Sequence, residues 1–361
     1  MLIAPPRLFF ECLCTSCEGL ISNSKRGFIW VRTIVSLFVG AGLGSHHILA
    51  QTTYYLDLNL GAAGRGSNAD FLWSTTIANY WTTDQTGNST TTNWINAGPA
   101  NNAVLGTGSG AGSFSAVLQS STNVNVGTMS VQDGTWTIIL NSATLTFDSS
   151  ADSSLTPLLS GSGTVIKSGA STLALAATNN YTGTTSISGG ILRLDASNTS
   201  LGSIAVNSGT LQIAASGALP SSTSLTLAGG SLQLVGAYGF SLSNPLGVTA
   251  ASVIDFGSGI NATALAFADS NGGGWSGTLT ISNFNSASDT LRFGTNAGGL
   301  SAGQVSAINF DGVGAQIDAN GYVTPVPETA LYALMAGLCA AGVAVLRWRK
   351  ASPDAKTVPA S

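Results

Sequence analysis

Chemistry needs side chains that attack, move protons or hold metal, and between Gln51 and Thr324 this chain has few of them. That segment contains no Cys and no His, which excludes thiol and imidazole nucleophile–base pairs and zinc sites built on those ligands. It has no Glu either: twelve Asp face Arg65, Lys167, Arg193 and Arg292, a balance of −8. Cleaving a polysaccharide on a β-scaffold would take two carboxylates close together, or a calcium–carboxylate cluster with a basic residue. The closest pairs in sequence are Asp148 with Asp152 and Asp311 with Asp318, and Arg193 stands beside Asp195 on a strand. None recurs at regular spacing, so surface turns account for them better, and neither a catalytic residue, a metal site nor a cofactor is expected. Trp73, Trp81 and Trp94, beside Tyr54, Tyr55 and Tyr80 on an Asn- and Thr-rich background, could stack on sugar rings. The structural alternative is that they close one end of the core.

Two further clusters carry less. Gly106, Gly108, Gly110 and Gly112 have the density of a phosphate loop, but no Lys-Ser/Thr follows and no helix opens there. Cys12, Cys14 and Cys17 have no fourth ligand and no second knuckle, and they precede a export-signal pattern, so a discarded leader fits them better than a metal site. The absence of basic clusters in the body argues against nucleic acid as a partner.

Whatever function exists must therefore be carried by the scaffold. Of 361 residues, 45 are Gly and only 8% are charged, against roughly 25% in ordinary soluble domains. From Gly183 to Leu234 one short pattern is written three times: an apolar residue (Ile187, Val206, Leu227), a turn at Gly190, Gly209 or Gly230, then an alternating pair (Leu192 and Leu194, Leu211 and Ile213, Leu232 and Leu234). Alternation at period two is a strand with one side in a core. Each copy is too small to bury its own apolar side, so neighbours must stack, and the period of about 20 residues is met best by a β-solenoid. An antiparallel sandwich of hairpins is the alternative, since strand spacing does not fix pairing. Met129 and Val131 followed by Trp136 and Ile138 repeat the rhythm earlier, and strand-like runs continue at 253–256, 275–284, 291–293 and 305–310.

Gly161, Gly163, Lys167, Gly169, Leu173, Leu175, Asn180, Tyr181, Thr182, Gly183, Gly190, Leu192 and Leu194 fall in an order that closely resembles the autotransporter-associated β-strand repeat, best matched over 161–195. The resemblance implies a right-handed parallel β-helix on the outside of a Gram-negative cell, and no reaction. No C-terminal outer-membrane barrel pattern is present to make the chain an autotransporter.

The ends read as addresses. Residues 1–50 hold a leader and a signal peptide, with Lys25, Arg26 and Arg32 before the apolar Ile34–Leu43 and a cleavage site at Ala50. Residues 51–100 read as a cap region, 101–322 as the solenoid, and 323–361 as a sorting segment. In the last, Val326, Pro327 and Glu328 precede an apolar run of transmembrane character over 330–346, and Arg347, Arg349 and Lys350 form a cytoplasmic stop. That order resembles the PEP-CTERM sorting signal, which implies an exosortase-type processing enzyme as a partner; Thr329 stands where that motif has a second Pro. The expectation is an all-β, exported, non-enzymatic protein, membrane-anchored through its C-terminal helix and then on the cell surface or in the matrix, with adhesion or exopolysaccharide association as its role. A β-helical polysaccharide lyase or hydrolase is the competing class.

Overall fold

Strict alternation of apolar and small polar residues, broken every few positions by Gly, Asn or Ser, leaves the backbone one economical solution: short strands that turn a corner and pair with the coil before. The computed structural model describes residues 51–58, 69, 71–76, 80–86, 89, 91–96, 101–106, 112–258 and 263–327. These form an all-β solenoid of right-handed type with about seven turns. The expected signal peptide (1–50), the apolar run 330–346, Glu328 and the basic Arg347, Arg349 and Lys350 lie outside the described residues. Among the described residues no helix is long and apolar enough to cross a membrane.

Three faces alternate along the chain. The first carries Thr53–Leu56, Asn102–Leu105 and Met129–Val131 in one sheet. It continues as a ladder of parallel strands from Ser153–Leu155 through Thr172–Leu175, Ile191–Leu194, Thr210–Ile213, Ser231–Leu234, Ser252–Asp255 and Leu279–Ser282 to Ile308–Phe310. The second is a seven-stranded parallel sheet from Asn123–Val126 to Leu246–Ala250. The third is a sheet only near its two ends: Phe71–Trp73, Ser113–Leu118, Thr135–Ile139 and Leu158–Ser160 at one, and Gly239–Ser241, Ala264–Phe267 and Thr290–Phe293 at the other. Parallel pairing across coils settles the solenoid against the hairpin sandwich.

The repeating residues stack in register. Leu173, Leu192, Leu211, Leu232, Ile254, Ile281 and Phe310 form one inward column on the first face. On the second face the column runs Phe147, Lys167, Ile187, Val206, Leu227, Val248. Every residue of both columns is buried. Each such apolar side chain is worth about 1.5–3 kcal/mol of burial, so the stacked columns dominate the stability of the coil. The turn glycines act as the pattern implies: Gly190 and Gly209 have φ of 60° and 75°, while in the third copy the positive φ sits on Gly229 rather than Gly230.

On the first face both ends of the parallel ladder are covered by antiparallel strands, which hides edges that would otherwise invite pairing with another chain. Trp81–Thr82 lies antiparallel against Thr53–Leu56, so the solenoid already begins inside the region read as a separate cap. Val313–Ile317 and Val323–Pro325 fold back on Ile308–Phe310, and parallel stacking stops there, short of residue 322. One strand-like run is corrected in part: Val305 belongs to a short helix, Ala302–Ser306, and only Ile308–Phe310 is strand. The reason is a capping box. Ser301 Oγ accepts from the Gln304 backbone N–H, while Gln304 Oε1 accepts from the Ser301 N–H.

Candidate functional site

Trp73, Trp81 and Trp94 are the aromatic residues whose faces could serve ligand contact. They are 0%, 1% and 1% exposed, respectively. Their rings meet one another at 4.7–5.2 Å between centroids, and Phe71 and Tyr54 pack against the same cluster. No ring face is open to a sugar, so the stacking role is set aside for these three residues and the alternative reading, that they close one end of the core, holds. The physical reason is the open end of the coil: Tyr54 and Trp73 stack in register over Ala103 and Leu118 in the first rung, and the large rings of Trp81 and Trp94 close the core beside them.

The motif residues are also internal. Lys167 occupies an inward position in the column and is 1% exposed. Its Nζ donates to the carbonyl of Gly169, and to that of Gly189 at 3.4 Å. Burial holds its pKa below the ordinary lysine value, against the opposing pull of Asp148 and Asp152. Tyr181 is buried, its hydroxyl 2.6 Å from Thr185 Oγ1, and burial pushes its pKa up to about 12.

Sequence reasoning singled out Asn180, but the residue that matters is its neighbour. Asn179 is 1% exposed and Asn198 7%. Asn179 Oδ1 accepts from the Leu159 N–H at 2.9 Å, and Asn198 Oδ1 accepts from the Asn179 N–H at 2.8 Å. Asn198 Nδ2 in turn donates to the Ala218 carbonyl at 2.8 Å. A side-chain ladder thus replaces the third strand where coils are short. The signal was present: Asn179 and Asn198 lie 19 residues apart, the period of the repeat in that part of the chain.

The carboxylates are spent on backbone and turns. Asp152 Oδ1 accepts from the Thr172 N–H, and Asp318 Oδ1 accepts from Asn320 and Tyr322. Asp311 has φ 47° in the turn that follows Ile308–Phe310. Arg193 and Asp195 make a two-pronged ion pair, 2.6 and 2.7 Å, on the outer surface, which raises the arginine pKa first through that hydrogen bond. Half-open pairs of this kind contribute under about 1 kcal/mol. The hollow of about 280 Å³ that Asp152 and Arg193 share contains no second carboxylate. Among the described residues no three His, Cys, Asp or Glu come together as a metal site.

Outward residues form their own ladder on the first face. Arg193, Gln212, Gln233 and Asp255 sit in register, with Gln212 Nε2 donating to Gln233 Oε1 at 2.6 Å and Gln233 Nε2 to Asp255 Oδ2 at 3.0 Å. Burial alone would raise the Asp255 pKa, but bonds from Asn283, Gly257 and Gln233 outweigh it and lower it. The arrangement ties coils together with mutually satisfied amides.

Of the residues read from the sequence as a sorting signal, Val326 donates its N–H to Gly314 O at 2.8 Å just beyond Val323–Pro325, and Pro327 is exposed. These two residues follow directly on the last described strand.

Compared with known proteins, residues 165–194 and 190–213 match the passenger-associated transport repeat, an autotransporter-associated repeat. The two matches overlap at the turn through Gly190 and cover the stretch that holds Lys167, Tyr181 and the Asn179–Asn198 ladder. Neither the curated proteins nor the solved structures returned a match.

Proposed function

We propose that the protein is an exported, non-enzymatic structural protein, a β-helical rod of the cell surface or extracellular matrix that associates with exopolysaccharide or neighbouring cells. The repeat it carries suggests a secreted or surface protein. The observation that carries the reading is the unbroken register of inward columns beneath a surface of Ser, Thr, Asn and Gln: chemistry-bearing side chains are committed to holding coils together, and what remains on offer is a long polar surface. Weak contacts repeated along such a surface add through effective concentration rather than individual strength.

Delivery would follow the ends of the chain. Val326 and Pro327 emerge from the last strand at an accessible place, which suits recognition by an exosortase-type processing enzyme, with membrane anchoring through 330–346 preceding release. The test is to express the full chain and a variant lacking 326–361 in a host with an exosortase-type system, and to fractionate the cells. The full chain should reach the surface or matrix fraction, with the shortened one lost to the medium or periplasm. Equal retention of both in the cytoplasm would end the proposal.

A further inference from the structure

A trough crosses the third face near its C-terminal end. Phe240, Leu265 and Leu291 point inward, 4%, 1% and 0% exposed, so the rows Gly239–Ala264–Thr290 and Ser241–Ala266–Arg292 point outward. Four of those six outward residues are Gly, Ser or Ala, which leaves a shallow floor about two rungs, or roughly 10 Å, across. Tyr322 continues the second row by a backbone bridge to Arg292, and the guanidinium lies 5.8 Å from the tyrosine ring centroid. Two hollows share Ser241 and Arg292. One, of about 310 Å³, reaches Thr290 and Tyr322; the other, of about 290 Å³, reaches Ser243, Asp269 and Asn296.

Arg292 differs from the other described cations. Lys167 is buried against carbonyls and Arg193 is gripped by Asp195, whereas Arg292 has no carboxylate within ion-pair distance among the described residues. A half-exposed guanidinium held over a ring, with open space on two sides, has its planar fork free for a carboxylate. The acidic balance of the body opposes polyanions at long range. At physiological salt, however, charges beyond about 8 Å are largely screened, so the local guanidinium decides. Asp269 accepts from the Asn271 N–H and reaches only the second hollow, which leaves the first without a competing carboxylate.

We propose that this trough binds a carboxylate-bearing sugar unit of an acidic polysaccharide, with Arg292 holding the carboxylate and the small floor and Tyr322 receiving the ring. The inference rests on the glycan-associated reading above and names its ligand class. The test is titration of the full chain with tetragalacturonate and with its methyl ester, which has the same rings and no charge. Tetragalacturonate should bind, the ester at least tenfold more weakly. Arg292→Gln should lose at least tenfold for the acid. Ala266→Phe, which fills the floor and leaves the guanidinium in place, should weaken binding as well. No binding of tetragalacturonate, equal binding of the ester, or an unchanged Arg292→Gln would each overturn the proposal. If wild type and Arg292→Gln bind neutral glycans equally while the acid is ignored, the trough assignment fails and the glycan-associated function stands.

Discussion

Replacing Asn198 by alanine tests whether the side-chain ladder is what holds the short coils closed. Four hydrogen bonds converge on this amide: Oδ1 accepts from the N–H and Nδ2 of Asn179, and Nδ2 donates to the carbonyls of Ala196 and Ala218. After the substitution the Ala196 carbonyl, half-buried, can turn to water, and Asn179 Nδ2 keeps its bond to Ala177 O. The Asn179 N–H and the Ala218 carbonyl, on residues 1% and 0% exposed, cannot. An orphaned buried group costs about 1–3 kcal/mol, so two of them cost about 2–6; water entering the vacated space returns part, and about 3 kcal/mol is the expected loss. In urea this moves the midpoint down by about 1 M for a slope of about 3 kcal/mol/M. Because coils in a solenoid couple mainly to their neighbours, hydrogen exchange should quicken at the amides of Leu159 and Asn179 while those of Leu279–Ser282 keep their protection. A midpoint within about 0.2 M of wild type, with the Asn179 amide still protected, would refute the claim that the ladder replaces a strand.

Other substitutions probe other parts of the same logic. A methyl group on Gly183 would sit 1.8 Å from the Gly163 carbonyl oxygen, so Gly183→Ala must push two coils apart and should cost about 2–3 kcal/mol in chemical denaturation, whereas Gly239→Ala, with nothing within 4 Å, should stay within about 0.5. Tyr181 has a folded pKa of about 12 against 10.0 unfolded; its contribution is complete below pH 10 and is lost as pH rises towards 12, up to about 3 kcal/mol, and Tyr181→Phe should flatten that part of the stability curve. Lys167 has the opposite sign: its pKa is lowered by burial, so the unfolded chain binds more protons in the window below the ordinary lysine value of 10.5, and wild type should gain on Lys167→Met as pH climbs through that window. A flat difference between those two proteins would mean the ammonium is solvated.

How much of this was legible in the sequence depends on what a residue type encodes. Leu192 with Leu194 and Leu211 with Ile213 state which side chains point inward, and the structure stacks them as their spacing says. Side-chain polarity does not state which distant coil will cover a residue. The three tryptophans therefore allowed two readings, a sugar-stacking surface or the closing of the core's end, and only their burial decides for the second. The helix at Ala302–Ser306 was hidden differently: Ser301 and Gln304 spell a capping box, but Val305 and Ile308 add β-branched weight that reads as strand. Asn179 was missed because Asn is common in turns here, and a buried amide acting as a backbone substitute looks like any other turn residue until its partners are seen.

The drift in coil length connects the ladder to the trough. Leu173 pairs with Leu192 and Leu192 with Leu211, each 19 residues on, while Ile254 pairs with Ile281 and Ile281 with Phe310, 27 and 29 residues on. A coil of 19 residues has chain enough for two strands and three corners, yet its buried N–H groups on the third side still require acceptors, and a side-chain oxygen reaches where no carbonyl is available. A true third strand is present in Ala264–Phe267 and Thr290–Phe293 of the longest coils, and already in Thr135–Ile139, Leu158–Ser160 and Gly239–Ser241, whose coils are only two or three residues longer than 19. The short coils tie their outward Gln212 and Gln233 to each other, whereas the third face near the C-terminal end leaves Thr290 and Arg292 facing out. The proposed trough lies where the period is longest, and not on the regular coils that match the repeat most closely.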